Sequence, residues 1–178
     1  QAIPGPGESV LHVLAGEVGA VKKEAAGLYR SAWHWSVPRR ASLVVAAIEG
    51  DSHHQTWGNL GRALVTAAEL VEDGGAIAVC SDLAQSSGPA VDLLRHAESR
   101  HDALRQIAKQ RPPDSLAAAQ LAAIQDRVSV YLLSRLDPVH VEELEIAPIV
   151  DTDELARLAH RHPSCLLLPN TPRTTVSL

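Results

Sequence analysis

Five short, almost unbroken apolar runs constrain this chain more than any other feature: "VLHVLAG" (10–16), "SLVVAAI" (42–48), "AIAVCS" (76–81), "VSVYLLS" (128–134) and "CLLLP" (165–169). A strand with one face in water alternates apolar and polar residues. An unbroken run requires two dry faces, the situation of a parallel sheet covered by helices. Stretches of helical length separate the runs, at 17–34, 53–72, 88–109, 115–126 and 151–162. In the second of them Leu60, Leu64, Ala67, Ala68 and Val71 recur at spacings of three and four, an apolar stripe suited to a sheet. The alternation predicts an α/β fold: a Rossmann-like three-layer sandwich with a mainly parallel sheet of about five strands flanked by helices.

Local signals punctuate the helices. "DPVHVEEL" offers Asp137 as an N-cap with Pro138 at the first helical position, and "DTDEL" repeats the device at Asp151. Gly88 and Pro89 can open a helix. "EDGGA" (72–76) predicts a helix end with Gly74 or Gly75 as the left-handed cap, and in "KQRPPDSL" the paired prolines make a loop from which Asp114 or Ser115 caps the next helix.

The core must be aliphatic, since the chain has no Phe, no Met, three Trp and two Tyr among 46% hydrophobic residues. Its 178 residues suit a single α/β domain, 1–178. A net charge of -5 with no Lys/Arg-rich block argues against nucleic acid as a partner. No apolar run approaches the roughly 20 residues that cross a bilayer, and the first residues lack the pattern of a signal peptide, so no membrane partner and a cytoplasmic location are expected. Cys80 and Cys165 sit in apolar runs without metal-site spacing and read as buried thiols. Gln1 leading at once into a Pro/Gly segment suggests a piece of a larger protein.

In open parallel sheets ligands gather at the carboxyl ends of the strands. The richest such end is "IEGDSHHQTWGNLGRAL" (48–64). Taken singly, its residues are ordinary: Gly50 turns, Asp51 or Ser52 caps, His53 and His54 lie exposed. Adjacent histidines on a helix point about 100° apart and cannot share a metal, so no metal site is expected here. Taken together, Gln55, Asn59 and Arg62 are spaced by four and three and would share a helix face. An arginine flanked by amides can grip a carboxylate through a bidentate pair, unless Arg62 turns to solvent or pairs with Glu69 or Glu72. Asp51 completes the substrate-binding set, with His54, Trp57, Ser81 and Asp82 as further cleft-lining candidates. "AWHWS" (32–36) reads as a packing cluster or an interdomain contact. There is no GxGxxG, P-loop or GxSxG.

The segment "LHVLAGEVGAVKKEAAGLYRSAWHWSVPRRASLVVAAIEG", the Asn59–Arg62–Ala63–Leu64 register, "VEDGGAIAVCSDL" and "VYLLSRLDPVHVEELEIAPIVDTDELARLAH" together resemble the C-terminal half of the nickel-pincer-nucleotide lactate racemase family. The resemblance spans about 10–170. It implies a two-domain enzyme whose N-terminal domain, absent here, carries the tethered nickel cofactor and the paired catalytic histidines. No catalytic residue is then expected in this domain, no cofactor bound by it alone, and the N-terminal domain of the same chain and a small 2-hydroxy acid are its implied partners. Family members offer the substrate a glutamine and a lysine, positions that match Asn59 and Arg62. Asn is a methylene shorter and Arg a planar fork, so lactate itself is in question. The expected function is the substrate-cleft domain of a 2-hydroxy-acid racemase, inactive alone. The alternatives are a non-catalytic binding or assembly module of the same descent, or a small independent enzyme using Asp51, His54 and Ser81.

Overall fold

Residues 41–46 have no wet side: every one is buried, and the side chains of 43–46 alternate between two separate apolar clusters. They begin the strand that organises a computed structural model describing residues 1–7 and 9–178. In chain order the strands are β1 (Ala2–Pro4), β2 (Val10–Val13), β3 (His34–Ser36), β4 (Ala41–Ala47), β5 (Val71–Cys80), β6 (Ser129–Leu133), β7 (Ala147–Ile149), β8 (Cys165–Leu168) and β9 (Thr175–Ser177). The helices are α1 (Val18–Trp33), α2 (Trp57–Ala68), α3 (Pro89–His96), α4 (Arg100–Gln110), α5 (Ser115–Gln125), α6 (Pro138–Glu142) and α7 (Thr152–Arg161), with a 3-10 turn at Thr171–Arg173.

The main sheet is parallel throughout, in the order β7-β6-β5-β4-β8. The strand period of two sends Val44, Ala46, Ile77 and Val79 to one face, where Leu60, Leu64, Ala67, Leu121 and Ile107 cover them. Leu43, Val45, Ala76 and Ala78 point the other way, onto Leu158 and Leu155 of α7. The result is the α/β sandwich read from the sequence, with one deep helical layer and one thin one.

Several expectations need correction. The run 10–16 is no strand of the main sheet: Val10–Val13 pairs antiparallel with β1 and is exposed along its length. The fifth strand is instead β7, whose three residues include Pro148. Proline is tolerated because β7 is an edge strand bonded only to β6. The stretch 88–109 is two helices, broken at 97–99, where Ser99 caps α4 through the amide of Asp102. Asp114 caps backwards: its carboxylate accepts from the amides of Ala90 and Val91 and so serves α3, whose own N-cap, Gly88, has no side chain. Asp137 and Asp151 cap α6 and α7 as read. Cys165 is exposed on edge strand β8 and Cys80 only half-buried, so neither is the fully buried thiol expected. Trp33 is packed, its indole donating to the Pro4 carbonyl, while Trp35 is half-exposed on β3.

"EDGGA" also departs from expectation. The helix stops at Ala68 and residues 71–80 are strand throughout. The register between β4 and β5 slips between Ala41↔Val71 and Leu43↔Ala76, a bulge in which Gly74 takes a φ of +74°. At Gly75 a Cβ would lie 2.8 Å from the Ser42 carbonyl oxygen and 2.9 Å from that of Glu72. Gly75→Ala is therefore expected to cost about 1–3 kcal/mol through overcrowding. Gly74→Asn should be nearly neutral because Asn accepts the left-handed region. Thermal melts of both variants check this ordering; equal melting temperatures would show that the bulge has room.

Candidate functional site

The loop after β4 does not pass directly into a helix. Gly50 takes a φ of +104°, and the Asp51 carboxylate accepts from the His53 amide and from Nδ1 of His54, each at 3.0 Å. This local ring of bonds satisfies the backbone in a tight turn and lets α2 begin six residues later. Thr56, not Asp51 or Ser52, is the cap, accepting from the Asn59 amide at 3.2 Å.

Gln55 therefore precedes the helix and does not share a face with Asn59 and Arg62. It is buried, and its amide nitrogen donates to the carbonyls of Ile48 and Gly50, both at 3.1 Å. Its oxygen accepts from the Ser81 hydroxyl at 2.7 Å and the Asp82 amide at 3.0 Å. A carboxamide has two N–H donors and two lone pairs, so all its capacity is filled. Gln55 and Ser81 fasten the loop after β4 to the loop after β5, which removes Gln55 from the substrate-facing set. Asp82 stands outward in an exposed ion pair with Arg135 at 2.9 Å, the kind that contributes little.

Asn59 and Arg62 remain neighbours on the first turns of α2. The Asn59 amide nitrogen donates to the His54 carbonyl at 2.8 Å, and its oxygen receives Nη1 of Arg62 at 3.5 Å. Arg62 is exposed and makes no ion pair with Glu69 or Glu72. Beside it opens a hollow of about 500 Å³ among Thr56, Trp57, Gln85, Ser86 and Gln120. The buried Trp57 donates its indole N–H to the carbonyls of Gln85 and Ser86, at 3.1 and 3.2 Å, and so holds the far wall of that hollow. A larger hollow of about 650 Å³ lies by α1 around Lys22, Tyr29 and His34, but both ring nitrogens of His34 are already engaged by Thr175 and Ser177.

Two residues missed in the sequence complete the region. Arg173, on the 3-10 turn after β8, donates Nη2 to Nε2 of His54 at 3.0 Å and Nη1 to the carbonyls of Gly5 and Gly7. Arginine can only donate, so Nε2 must offer its lone pair and Nδ1–H must point at Asp51. Tyr29 of α1 donates its hydroxyl to the Arg173 carbonyl. Burial pushes its phenol above the ordinary 10.0, an effect partly offset by the charges of Arg173 and Arg62. Nothing in the sequence marks Arg173, because its partner lies 119 residues away. The hydrogen bond from His54, helped by the His53 amide, holds the Asp51 carboxyl below its ordinary 3.8. Among the described residues no three His, Cys, Asp or Glu side chains converge to hold a metal ion.

No family model matches the chain, and no curated protein does. Solved structures do match it in fold. One is the lactate racemase apoprotein from Thermoanaerobacterium thermosaccharolyticum, with a TM-score of 0.82 at 15% identity over 96% of this chain and 43% of that one. Another is a structural-genomics crystal structure of a Thermotoga maritima protein, with a TM-score of 0.59 at 12% identity over 89% of this chain and 42% of that one. The chain thus has a lactate-racemase-like fold and spans less than half the length of either structure. The resemblance read from the sequence holds at the level of backbone architecture.

Gln55→Leu leaves two carbonyls, a hydroxyl and an amide without their partner, and should lower stability by about 1–3 kcal/mol. Urea denaturation measures the loss, and faster hydrogen exchange at the Asp82 amide locates it. For Asp51 the lowered folded pKa means that its stabilising contribution is complete above pH 3.8 and fades as pH falls through the lower folded value. Asp51→Asn should flatten the stability profile below pH 3.8 only; a change confined to neutral pH would contradict this assignment.

Proposed function

Starting from the fold shared with lactate racemase, we propose that this chain is the substrate-cleft domain of a lactate-racemase-like protein that acts on a 2-hydroxy acid beside an N-terminal cofactor domain, and that it does not turn over alone. The observation that carries this reading is Arg62. A guanidinium with no carboxylate partner among the described residues stands at the carboxyl end of a parallel sheet, tethered by Asn59, on a backbone that matches the racemase over 96% of its length.

The chemistry assigned to this domain is binding and orientation. Arg62 takes the substrate carboxylate in a bidentate, charge-assisted pair. Asn59 spends one N–H on the His54 carbonyl and its oxygen on Arg62, so it steers Arg62 and keeps one N–H to orient the acid. Asp51 is likewise engaged with His53 and His54, and its charge would repel the substrate's. It sets His54 in place and leaves the substrate-binding list. The racemase resemblance implies a nickel-pincer nucleotide that accepts a hydride when bound. On this reading the group is held by the N-terminal domain, and the part of this chain is to present Arg62 to the substrate beside it.

A second reading, a binding or assembly module that has lost catalysis, is favoured by the exposed apolar strand β2 and the half-exposed Trp35, surfaces suited to covering by another body. Nickel analysis and mass spectrometry of the parent protein, followed by racemisation of a panel of 2-hydroxy acids, separate the two. On the first reading Arg62→Ala should lower kcat/KM about 10- to 100-fold, the worth of roughly 1.5–3 kcal/mol for hydrogen bonds to a charged group. A nickel-free parent protein, inactive on every acid, would leave the assembly module.

A further inference from the structure

Residues 169–178 run over the molecule as a strap. After β8 the chain turns through Thr171–Arg173 and pairs with β3 as β9, outside the main sheet. Arg173 fastens the strap, because its guanidinium and its carbonyl reach three other segments. Nη1 donates to the carbonyls of Gly5 and Gly7, the carbonyl accepts the Tyr29 hydroxyl, and Nη2 donates to Nε2 of His54 at 3.0 Å. Among the described residues no carboxylate pairs with Arg173. Of the side chains its guanidinium meets, His54 alone can change its charge near neutral pH.

The bond to His54 exists in one charge state only. Arginine has no acceptor, so Nε2 receives Nη2 with its lone pair, and the ring proton sits on Nδ1 against the Asp51 carboxylate at 3.0 Å. A second proton on the ring can go only to Nε2. There it turns the acceptor into a donor facing a donor and sets a cation against a cation. The bond to Asp51 survives, since Nδ1–H donates in both states. The groups facing the ring pull in opposite directions: Asp51 favours the imidazolium, while Arg173, and Arg62 of α2 reached through Asn59, disfavour it. Tyr29 of α1, its phenol held above 10.0, stays neutral throughout, and His53 lends Asp51 only its backbone amide.

We infer that His54 is a pH-sensitive latch on the strap: neutral, it holds Arg173 and with it the turn at Thr171–Arg173; protonated, it keeps Asp51 and lets Arg173 go. The opened arrangement takes up a proton for which the closed one has no place. Opening therefore gains ground as pH falls through the range in which imidazoles titrate, roughly pH 5–8. The four bonds of Gln55 do not pass through the ring, so the loops after β4 and β5 stay joined. His34 holds the same strap further on, with its ring nitrogens on the hydroxyls of Thr175 and Ser177. A hydroxyl can accept as well as donate, so charging His34 breaks neither bond. The response is confined to the turn and to what Arg173 ties to it, the segment of Gly5 and Gly7 and the Tyr29 end of α1.

The test is amide exchange followed by NMR on the 178-residue chain at about pH 7.5 and about pH 5.5, either side of the imidazole range and corrected for the intrinsic effect of pH. The amides of Arg173 and Thr174, bonded to the carbonyls of Asn170 and Thr171, report the turn, and the amide of Ile48, bonded to Cys80, reports the sheet. Protection of the first two should fall about tenfold or more on acidification, the worth of one hydrogen bond to a charged group, while Ile48 keeps its own. His54→Gln can still receive Arg173 on its oxygen and donate to Asp51 from its nitrogen, but it cannot titrate, so it should hold the turn equally at both pH values. Arg173→Ala should leave the turn open at both, and His34→Gln should leave the drop in place. Nitrogen spectra of the unmutated chain give a readout that needs no variant: at the higher pH the His54 ring should carry its proton on Nδ1. A proton on Nε2 there, protection indifferent to pH, or a drop that persists in His54→Gln or vanishes in His34→Gln overturns the latch.

Discussion

Two neighbouring strands with no wet face, β4 and β5, dictate where polar function can sit in this molecule. Their side chains fill apolar clusters above and below the sheet, so every hydrogen-bonding group they do not use must be met at their ends. At the carboxyl ends that task falls to Gln55, whose amide closes four bonds between the two loops. A buried amide with all its partners is rigid, and it converts two loops into one platform. The start of α2 is set on this platform, and Asn59 and Arg62 inherit their position from it.

The polar side chains around the platform divide into those already engaged and those still free. Asp51, His54, Arg173 and Tyr29 form a continuous chain of hydrogen bonds from the turn after β4 to α1. Arg62 by contrast makes one long bond to Asn59 and meets no carboxylate among the described residues. The bonding also disposes of an Asp51, His54 and Ser81 triad: the dyad is formed, but the Ser81 hydroxyl is given to Gln55 and the second ring nitrogen of His54 is taken by Arg173.

Much of the fold is legible in the sequence because burial on both faces and helix capping are local signals. Four of the five apolar runs are strands of the main sheet, and Asp137 and Asp151 cap as their spacing says. The errors share a cause. Val10–Val13 has the composition of a buried strand but lies outside the sheet, and a three-residue edge strand with a proline gives no periodic signal at all. Gly74 and Gly75 read equally well as a helix stop or a bulge, and only the register against β4 decides. In the site, helical spacing grouped Gln55 with Asn59 and Arg62, while the Asp51 turn delayed the helix past Gln55. Arg173 was invisible because long-range pairing leaves no mark in local pattern.

The pairing of β8 with β4 spans more than a hundred residues, and the 3-10 turn that follows carries Arg173 onto His54. This gives the site a place in time. As the chain emerges during synthesis, β4, β5 and the Gln55 platform can assemble from residues 41–82, but the edge of the sheet and the orientation of His54 must wait for residues 165–173. Loop closure over that distance is among the slow events of folding. The start of α2, with Asn59 and Arg62, is therefore shaped early and the setting of His54 last, and a ribosome-bound chain holds the guanidinium before it holds the histidine in place.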